Sequence, residues 1–485
     1  MIRLSSCFIA LLLALSSTGL PAPQNGASTT STTEEGSGAS TSSSTSTSGT
    51  STGTVAAPQA TRPTISLDPN NPVWDSTSKG PFDSIRGDLG ATIIGPNNPN
   101  IAVQNPDLLA PPTTDSGSVP NIKWPMSLSH NRLSSGGWAR EQNANVMPIA
   151  TAMAGVNMRL KPGAIRELHW HKTAEWAYVI KGTTQVTSVD EEGRNFISTV
   201  GPGDLWYFPP GIPHSLQATG DDPDGSEFLL VFPNGMFSED STFLLTEWLA
   251  HVPAEGTFGR LDFLAKNFQT YDFISLPKFH AAHHHSSLSD INDFKNVPAS
   301  QLYIFPADVP ADDQQAPVSP FGTVPDPFSF ALSNVTATQF SGGSVKIVDS
   351  SAFKVSVTIA AAEVTVEPGA MRELHWHPTQ DEWGFFLEGE GRISVFASES
   401  NARTFDFQAG DVSYVPATYG HYVENTGNTT LKFLEIFNSP KFQDVSLNQW
   451  LALTPPSIVK AHLGFSDETI AKLKKVKPVV VGPAN

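Results

Sequence analysis

The segment RELHWHKTAEWAYVIKG runs from Arg166 to Gly182, and RELHWHPTQDEWGFFLEG follows from Arg372 to Gly389. Other landmarks recur at nearly the same distance. Ser135-Gly-Gly matches Ser341-Gly-Gly and His169 matches His375 at 206 residues; His214 matches His421 at 207, and Trp248 matches Trp450 at 202. A period near 206 is far too long for stacked solenoid units, so a whole domain is duplicated, with a small insertion in the first copy ahead of Trp248. The two copies occupy 120–255 and 320–465, joined by a linker at 256–319 and followed by a helix and tail at 466–485.

Within each copy, short apolar-alternating runs are broken by Gly, Pro and Asp. EWAYVIKGTTQVTSV and DEWGFFLEGEGRISVF read as hairpins about Gly-containing turns, and GDLWYFPPGIPHSLQA and GDVSYVPATYGHYVEN as two further strands divided by a Pro turn. Six or more such strands at roughly ten-residue spacing predict an all-β fold, a sandwich or small barrel in each copy. Helix is expected only late, at TFLLTEWLAHV, VSLNQWLAL and SDETIAKLKK, the last capped by Ser466.

Residues i and i+2 of a strand share a face, so His169 and His171 project together, as do His375 and His377. Glu175 and Glu382 open the next strand, and His214 and His421 follow a Pro turn later. Three imidazoles and one carboxylate meeting inside a barrel form a metal site, leaving positions open for water or substrate. Six of the 13 histidines fall in these two sets, and the others do not recur, which separates the sets from scattered structural histidines. A mixed N/O site suits Mn or Fe better than tetrahedral Zn, and the residues alone leave Mn and Fe both open. Arg166 and Arg372 precede their first histidine by three. That odd spacing turns them to the opposite face of a regular strand, so a bulge must re-aim them inward; the alternative is a surface pair with Glu167.

The ends of the chain indicate its setting. MIRLSSCFIALLLALSSTGLPAP reads as a secretory signal peptide over 1–20, and the only cysteine, Cys7, lies inside it. A Ser/Thr-rich stalk at 21–60 cannot bury a core, and a Pro/Asn/Gly-rich arm at 61–119 is expected to wrap over a domain. With 47 acidic against 29 basic residues the formal charge is −18, with no basic stripe for nucleic acid or anionic lipid and no apolar run long enough to span a membrane. A site for an anionic substrate must therefore carry its own positive charge. Sequons at Asn334 and Asn428 agree with secretion. His280 and His283–His285 read as a solvated linker cluster, and Trp170 and Trp376 as packing on the far side of the ligand strand.

The runs Gly163-x5-His-x-His-x3-Glu-x6-Gly182 and Gly369-x5-His-x-His-x4-Glu-x6-Gly389 resemble the first cupin motif. Gly203-x5-Pro-x-Gly-x2-His214 and Gly410-x5-Pro-x-Thr418-x2-His421 resemble the second. With FSEDSTFLLTEWLAH, they identify the chain as a member of the secreted, fungal-type bicupin oxalate decarboxylase family, over about Asn121 to Phe465. The resemblance implies two tandem cupin (jelly-roll β-barrel) domains and two manganese ions per chain, on His169, His171, Glu175, His214 and on His375, His377, Glu382, His421. It further implies oxalate as substrate, with formate and carbon dioxide as products, and dioxygen as co-catalyst. Arg166 would bind the dicarboxylate, and Glu239 would be the general acid/base on a mobile lid. Related enzymes carry Ser-Glu-Asn-Ser there; this chain has Asp240 in place of Asn.

The copies diverge over each metal. Leu230 of copy one matches Glu435 of copy two, so copy two's carboxylate sits on a buried strand, either as a second proton donor or as support for the ligands, and Arg372 is the counterpart of Arg166. Two other functions compete: an oxalate oxidase giving carbon dioxide and hydrogen peroxide, which Asp240 keeps open, and a non-enzymatic storage or binding bicupin. Self-association into a homo-oligomer is left open.

Overall fold

The computed structural model describes residues 114–250, 303–307 and 315–483. The leader, the stalk, nearly all of the arm, and His280 with His283–His285 lie outside the described residues.

The alternating runs form two antiparallel sheets in each copy. In the first, the larger sheet has the order Ser329–Phe330, Leu205–Phe208, Glu175–Lys181, Ser226–Phe232, Ala154–Leu160, Gly137–Gln142, Asn131–Ser134. The smaller runs Phe243–Leu244, Ile165–Trp170, His214–Ala218, Thr184–Val189, Asn195–Val200, with Ile304–Phe305 added beside Ile165–Trp170. Between them lies an apolar core that includes Val156, Met158, Val179, Leu216, Phe228 and Ile304. The second copy repeats the plan, with Met371–Trp376 and Gly420–Asn425 in the smaller sheet, and Glu382–Glu388 and Leu431–Phe437 in the larger. Both copies are cupin barrels of the jelly-roll kind, and among the described residues the α-helices are few and short: Leu245–Ala250, Leu447–Leu453, Pro456–Leu463 and Asp467–Lys472, the last N-capped by the Ser466 side chain.

One expectation needs correction. EWAYVIKGTTQVTSV and DEWGFFLEGEGRISVF are not hairpins. Glu175–Lys181 pairs with the strands at 226–232 and 205–208, while Thr184–Val189 pairs in the opposite sheet with those at 214–218 and 195–200. Glu382–Glu388 and Glu390–Phe396 likewise sit in different sheets. Alternation specifies which face is buried, not which strand is the neighbour. The turn carries the chain across the barrel instead, with Gly182 at φ 65 and its backbone so close to Gly225 that a Cβ would overlap the carbonyl.

The crossing explains why Glu175–Lys181 is apolar on both faces. Ala177 and Val179 point into their own barrel, whereas Trp176 and Tyr178 join Leu229 and Val231 against Trp383, Phe385, Leu434 and Ile436 of the other copy. The large sheets thus pack back to back, and Gly155 is required where they meet, because a Cβ there would lie 2.2 Å from the Trp383 ring. The copies also exchange strands: Lys123–Pro125 extends the second copy's large sheet, and Ser329–Phe330 the first's. A buried Lys123–Asp411 ion pair at 3.1 Å fixes the former.

Candidate metal centres and active site

His169 and His214 are directly opposed on neighbouring strands of the small sheet, His171 follows one residue past the strand end, and Glu175 reaches in from the large sheet. One ligand atom from each lies within 4.8 Å of the others, and all four residues are buried; His375, His377, Glu382 and His421 repeat the arrangement. Turn backbone holds the ligand strand in place. Gly211 N–H donates to the His171 carbonyl at 2.9 Å and Thr418 N–H to that of His377 at 2.8 Å. The left-handed backbone (φ 80) that Gly211 supplies is forced on Thr418 (φ 70), a strained position for a β-branched residue.

Every imidazole is oriented by a main-chain carbonyl. In the first site Nδ1 of His169, His171 and His214 meets the carbonyls of Glu167, Thr173 and Ile212 at 2.6, 2.7 and 2.8 Å. In the second, Nδ1 of His375, His377 and His421 meets those of Glu373, Gln443 and Tyr419 at 2.6, 2.7 and 2.9 Å. A carbonyl can only accept, so each Nδ1 carries the proton and each Nε2 presents a lone pair inward, as a metal ligand must. Trp206 Nε1 donates to the far oxygen of Glu175 at 2.8 Å, turning the other oxygen toward the imidazoles. Burial pushes His169 and His375 well below the usual imidazole range, and the neighbouring arginine and histidine add to it, so both stay neutral. Burial alone would raise Glu175, but the imidazoles of His171 and His214 beside it outweigh burial and hold the carboxyl far below its ordinary value. Nε2 of His214, His375 and His377 has no hydrogen-bond partner among the described residues. Buried lone pairs facing an ionised carboxylate fit a divalent cation.

The arginines turn inward by the device that their spacing demands. The pairing of Ile165–Trp170 with His214–Ala218 slips between His214 and Leu216, and that of Met371–Trp376 with Gly420–Asn425 slips between Arg372 and His375. These bulges bury Arg166 and Arg372 on the same side as the histidines. Arg166 is not paired with Glu167, which is itself buried and accepts the Thr246 hydroxyl at 2.8 Å.

Beyond that point the sites differ. Arg166 Nη2 approaches Glu239 Oε2 at 3.4 Å, its guanidinium lies 3.8 Å from the Tyr303 ring centroid, and Nη1 has no hydrogen-bond partner among the described residues. Glu239 opens a single helical turn, Glu239–Ser241, capped by Ser238. Its N–H donates to Glu141 at 3.0 Å, and its side chain is buried against the site. Burial pushes its carboxyl up to about 7 despite Arg166, with Glu175 and Glu141 adding to the rise. Arg372, by contrast, is held by Glu435 at 3.1 Å and Asp444 at 2.8 Å, and Asp444 is shared with Lys477 at 2.5 Å. Those two carboxylates outweigh burial and raise the already high Arg372. Leu230, the counterpart of Glu435, fills the first barrel's core. Tyr303, Glu141, Asp444 and Lys477 carry no sequence signal for these roles. Trp170 stacks on Phe243 and Trp376 meets Trp450, both on the side away from the metal ligands.

Two barrels, each closed around three imidazoles and a carboxylate, define a two-domain metalloprotein. The Cupin family model matches residues 128–269 and 331–471. The oxalate decarboxylase of Bacillus subtilis (strain 168) is 51% identical over 398 residues, 82% of this chain and 96% of that protein. A probable oxalate decarboxylase of Arthroderma benhamiae is 39% identical over 81% of this chain and 91% of its own length. A solved structure of the Bacillus subtilis enzyme, from work on its Mn(II) centres, superposes with a TM-score of 0.72 at 50% identity, over 84% of this chain and all of that one. So does a variant of that enzyme whose Ser-Glu-Asn-Ser segment is changed, at 0.72 and 49%, over 83% and 99%. The chain belongs to the bicupin oxalate decarboxylase family.

Proposed function

We propose that this chain is a manganese-dependent oxalate decarboxylase whose turnover takes place in the first barrel, with Arg166 binding the substrate and Glu239 handling the proton. One contrast carries the assignment of the barrel: Arg166 has a single, long contact to a carboxylate, whereas two buried carboxylates already engage Arg372 at shorter distances. Only the former is engaged lightly enough to take up an anionic substrate in a strongly acidic protein.

His169, His171, Glu175 and His214 would hold one manganese ion, and His375, His377, Glu382 and His421 the other. When bound, manganese supplies Lewis-acid and one-electron redox chemistry to the carboxylate, with dioxygen as the co-catalyst. Arg166 grips a substrate carboxylate through two N–H groups, which fixes the C–C bond toward the lid turn. Glu239, its carboxyl poised near neutrality, carries the proton that ends on the carbon left when carbon dioxide departs. Hydrogen oxalate thus becomes carbon dioxide and formate, with no net oxidation. Arg372, Glu435 and Asp444 form a buried network that supports the second ligand set.

Manganese-loaded protein given oxalate under air is expected to release formate and carbon dioxide in equal amounts, with two manganese ions per chain. Hydrogen peroxide as the main product would favour the oxidase instead, and the absence of bound metal would remove the enzyme reading.

The leader at 1–20 and the sequons support a secreted glycoprotein. Asn334 and Asn428 are both exposed. Protein collected from the medium is expected to lose mass on enzymatic deglycosylation, and the Asn334→Gln/Asn428→Gln double variant to lose no N-glycan mass. An unchanged mass in the parent would refute the assignment.

A further inference from the structure

Tyr303 lies between two arginines. The guanidinium of Arg132, on the strand Asn131–Ser134, is centred 3.8 Å over its ring, and that of Arg166 is at the same distance. Two groups centred over one ring at the same height cannot share a face, so they bracket it. Each arginine also reaches the lid turn: Arg166 pairs with Glu239, and Arg132 Nη1 pairs with the adjacent Asp240 Oδ1 at 3.3 Å. Glu239, Arg166, Tyr303, Arg132 and Asp240 close a ring in which consecutive lid acids are tied to both faces of one buried aromatic.

The two ties cannot serve the same purpose. On the function proposed above, Arg166 must turn to the substrate carboxylate and Glu239 must be free to move a proton, so their contact gives way as substrate binds. The outer tie meets neither substrate nor metal ligand. We propose that Arg132, Asp240 and Tyr303 form a latch that keeps the lid turn closed while Arg166 is occupied, and that Arg132 is thereby a specificity-determining, positioning residue. With the lid closed, the proton from Glu239 reaches the substrate-derived carbon and formate leaves. With the lid open, dioxygen competes: hydrogen oxalate, dioxygen and a proton become two carbon dioxide and one hydrogen peroxide, the two electrons passing from oxalate to dioxygen. The Asp240 that departs from the Ser-Glu-Asn-Ser pattern is on this view the latch's anionic half, since asparagine there would leave Arg132 without an ion pair.

Asp240 is largely exposed, so the effect is that of a surface ion pair, a change of up to about fivefold. In manganese-loaded protein, Arg132→Gln and Asp240→Asn are each expected to raise the peroxide-to-formate ratio by a few-fold, with KM for oxalate unchanged. They should also accelerate amide exchange at Glu239, Ser241 and Thr242 by a similar factor. Arg132→Lys, which keeps the charge, should restore most of both. Raising salt should reproduce the effect in the parent protein and do little in the two variants. Parental product ratio in Arg132→Gln would overturn the proposal, even with faster exchange, and so would parental exchange. If the parent makes no formate, the function proposed above falls, while lid exchange in the variants still decides whether the latch exists.

Discussion

Replacing Glu239 with glutamine is expected to lower formate production by two orders of magnitude or more, with manganese content unchanged. The magnitude is that of removing a positioned proton donor, and the site explains why so little else should change. Glu239 is not among the metal ligands. Its backbone N–H remains bonded to Glu141 whatever the side chain, and glutamine keeps the shape and an oxygen for Arg166. The pH dependence follows from the raised carboxyl. Its value in the fold is about 7, against an ordinary 4.5, so the proton is held through the acid range and lost as pH rises through neutrality. Decarboxylation should therefore fall on the alkaline side, and the residual activity of Glu239→Gln should lose that limb. Stability has the same sign. A carboxyl with a raised value contributes fully below about 4.5 and loses that contribution as pH climbs through about 7, by up to about 3 kcal/mol. Glutamine never ionises, so the variant should melt no lower than the parent at pH 8. Activity assays across pH, with metal analysis and thermal melts, check all three. Undiminished formate production in Glu239→Gln would remove the residue from the mechanism.

The ligand sets were legible in the sequence because a metal imposes both residue types and strand spacing, and the duplication repeats the pattern. The all-β class was legible for a similar reason, since alternation reports a buried face directly. What alternation does not encode is the neighbour across the hydrogen bonds, and so Glu175–Lys181 and Thr184–Val189 read as a hairpin although they lie on opposite walls. Arg166 marks the boundary between the two kinds of information. Its spacing from His169 demanded a bulge, and the bulge is present, but only the folded chain shows that Glu239 and Tyr303 are what it meets there. Tyr303 stands 137 positions from Arg166, in a stretch read as linker, and enters the site because Ile304–Phe305 adds to the edge of the ligand strand. Asp444 reaches Arg372 across a comparable gap of 72. Neither contact leaves a local trace.

The same difference in surroundings gives the twin arginines opposite expected fates. Arg166→Ala should cut kcat/KM for oxalate by roughly one to two orders of magnitude, the loss of charge-assisted bonds to a carboxylate, with a melting temperature close to the parent's. The carboxylate it pairs with, Glu239, is near its neutral form already and can take a proton when the cation is removed. Arg372→Ala should instead destabilise the second barrel by about 3–5 kcal/mol, because it leaves Glu435 fully buried without its cation. That corresponds to a drop in melting temperature on the order of 10 °C. Lys477 still serves Asp444, so the uncompensated group is Glu435, and adding Glu435→Gln should recover much of the loss. Acid should also rescue the single variant. Burial already raises Glu435 in the parent and meets less opposition once Arg372 is gone, so the carboxyl takes up a proton as pH falls and the penalty shrinks. Melts of the four proteins at two pH values, beside oxalate kinetics, separate a substrate-binding arginine from a structural one. Equal losses of stability in Arg166→Ala and Arg372→Ala would mean that the two barrels use their arginines alike.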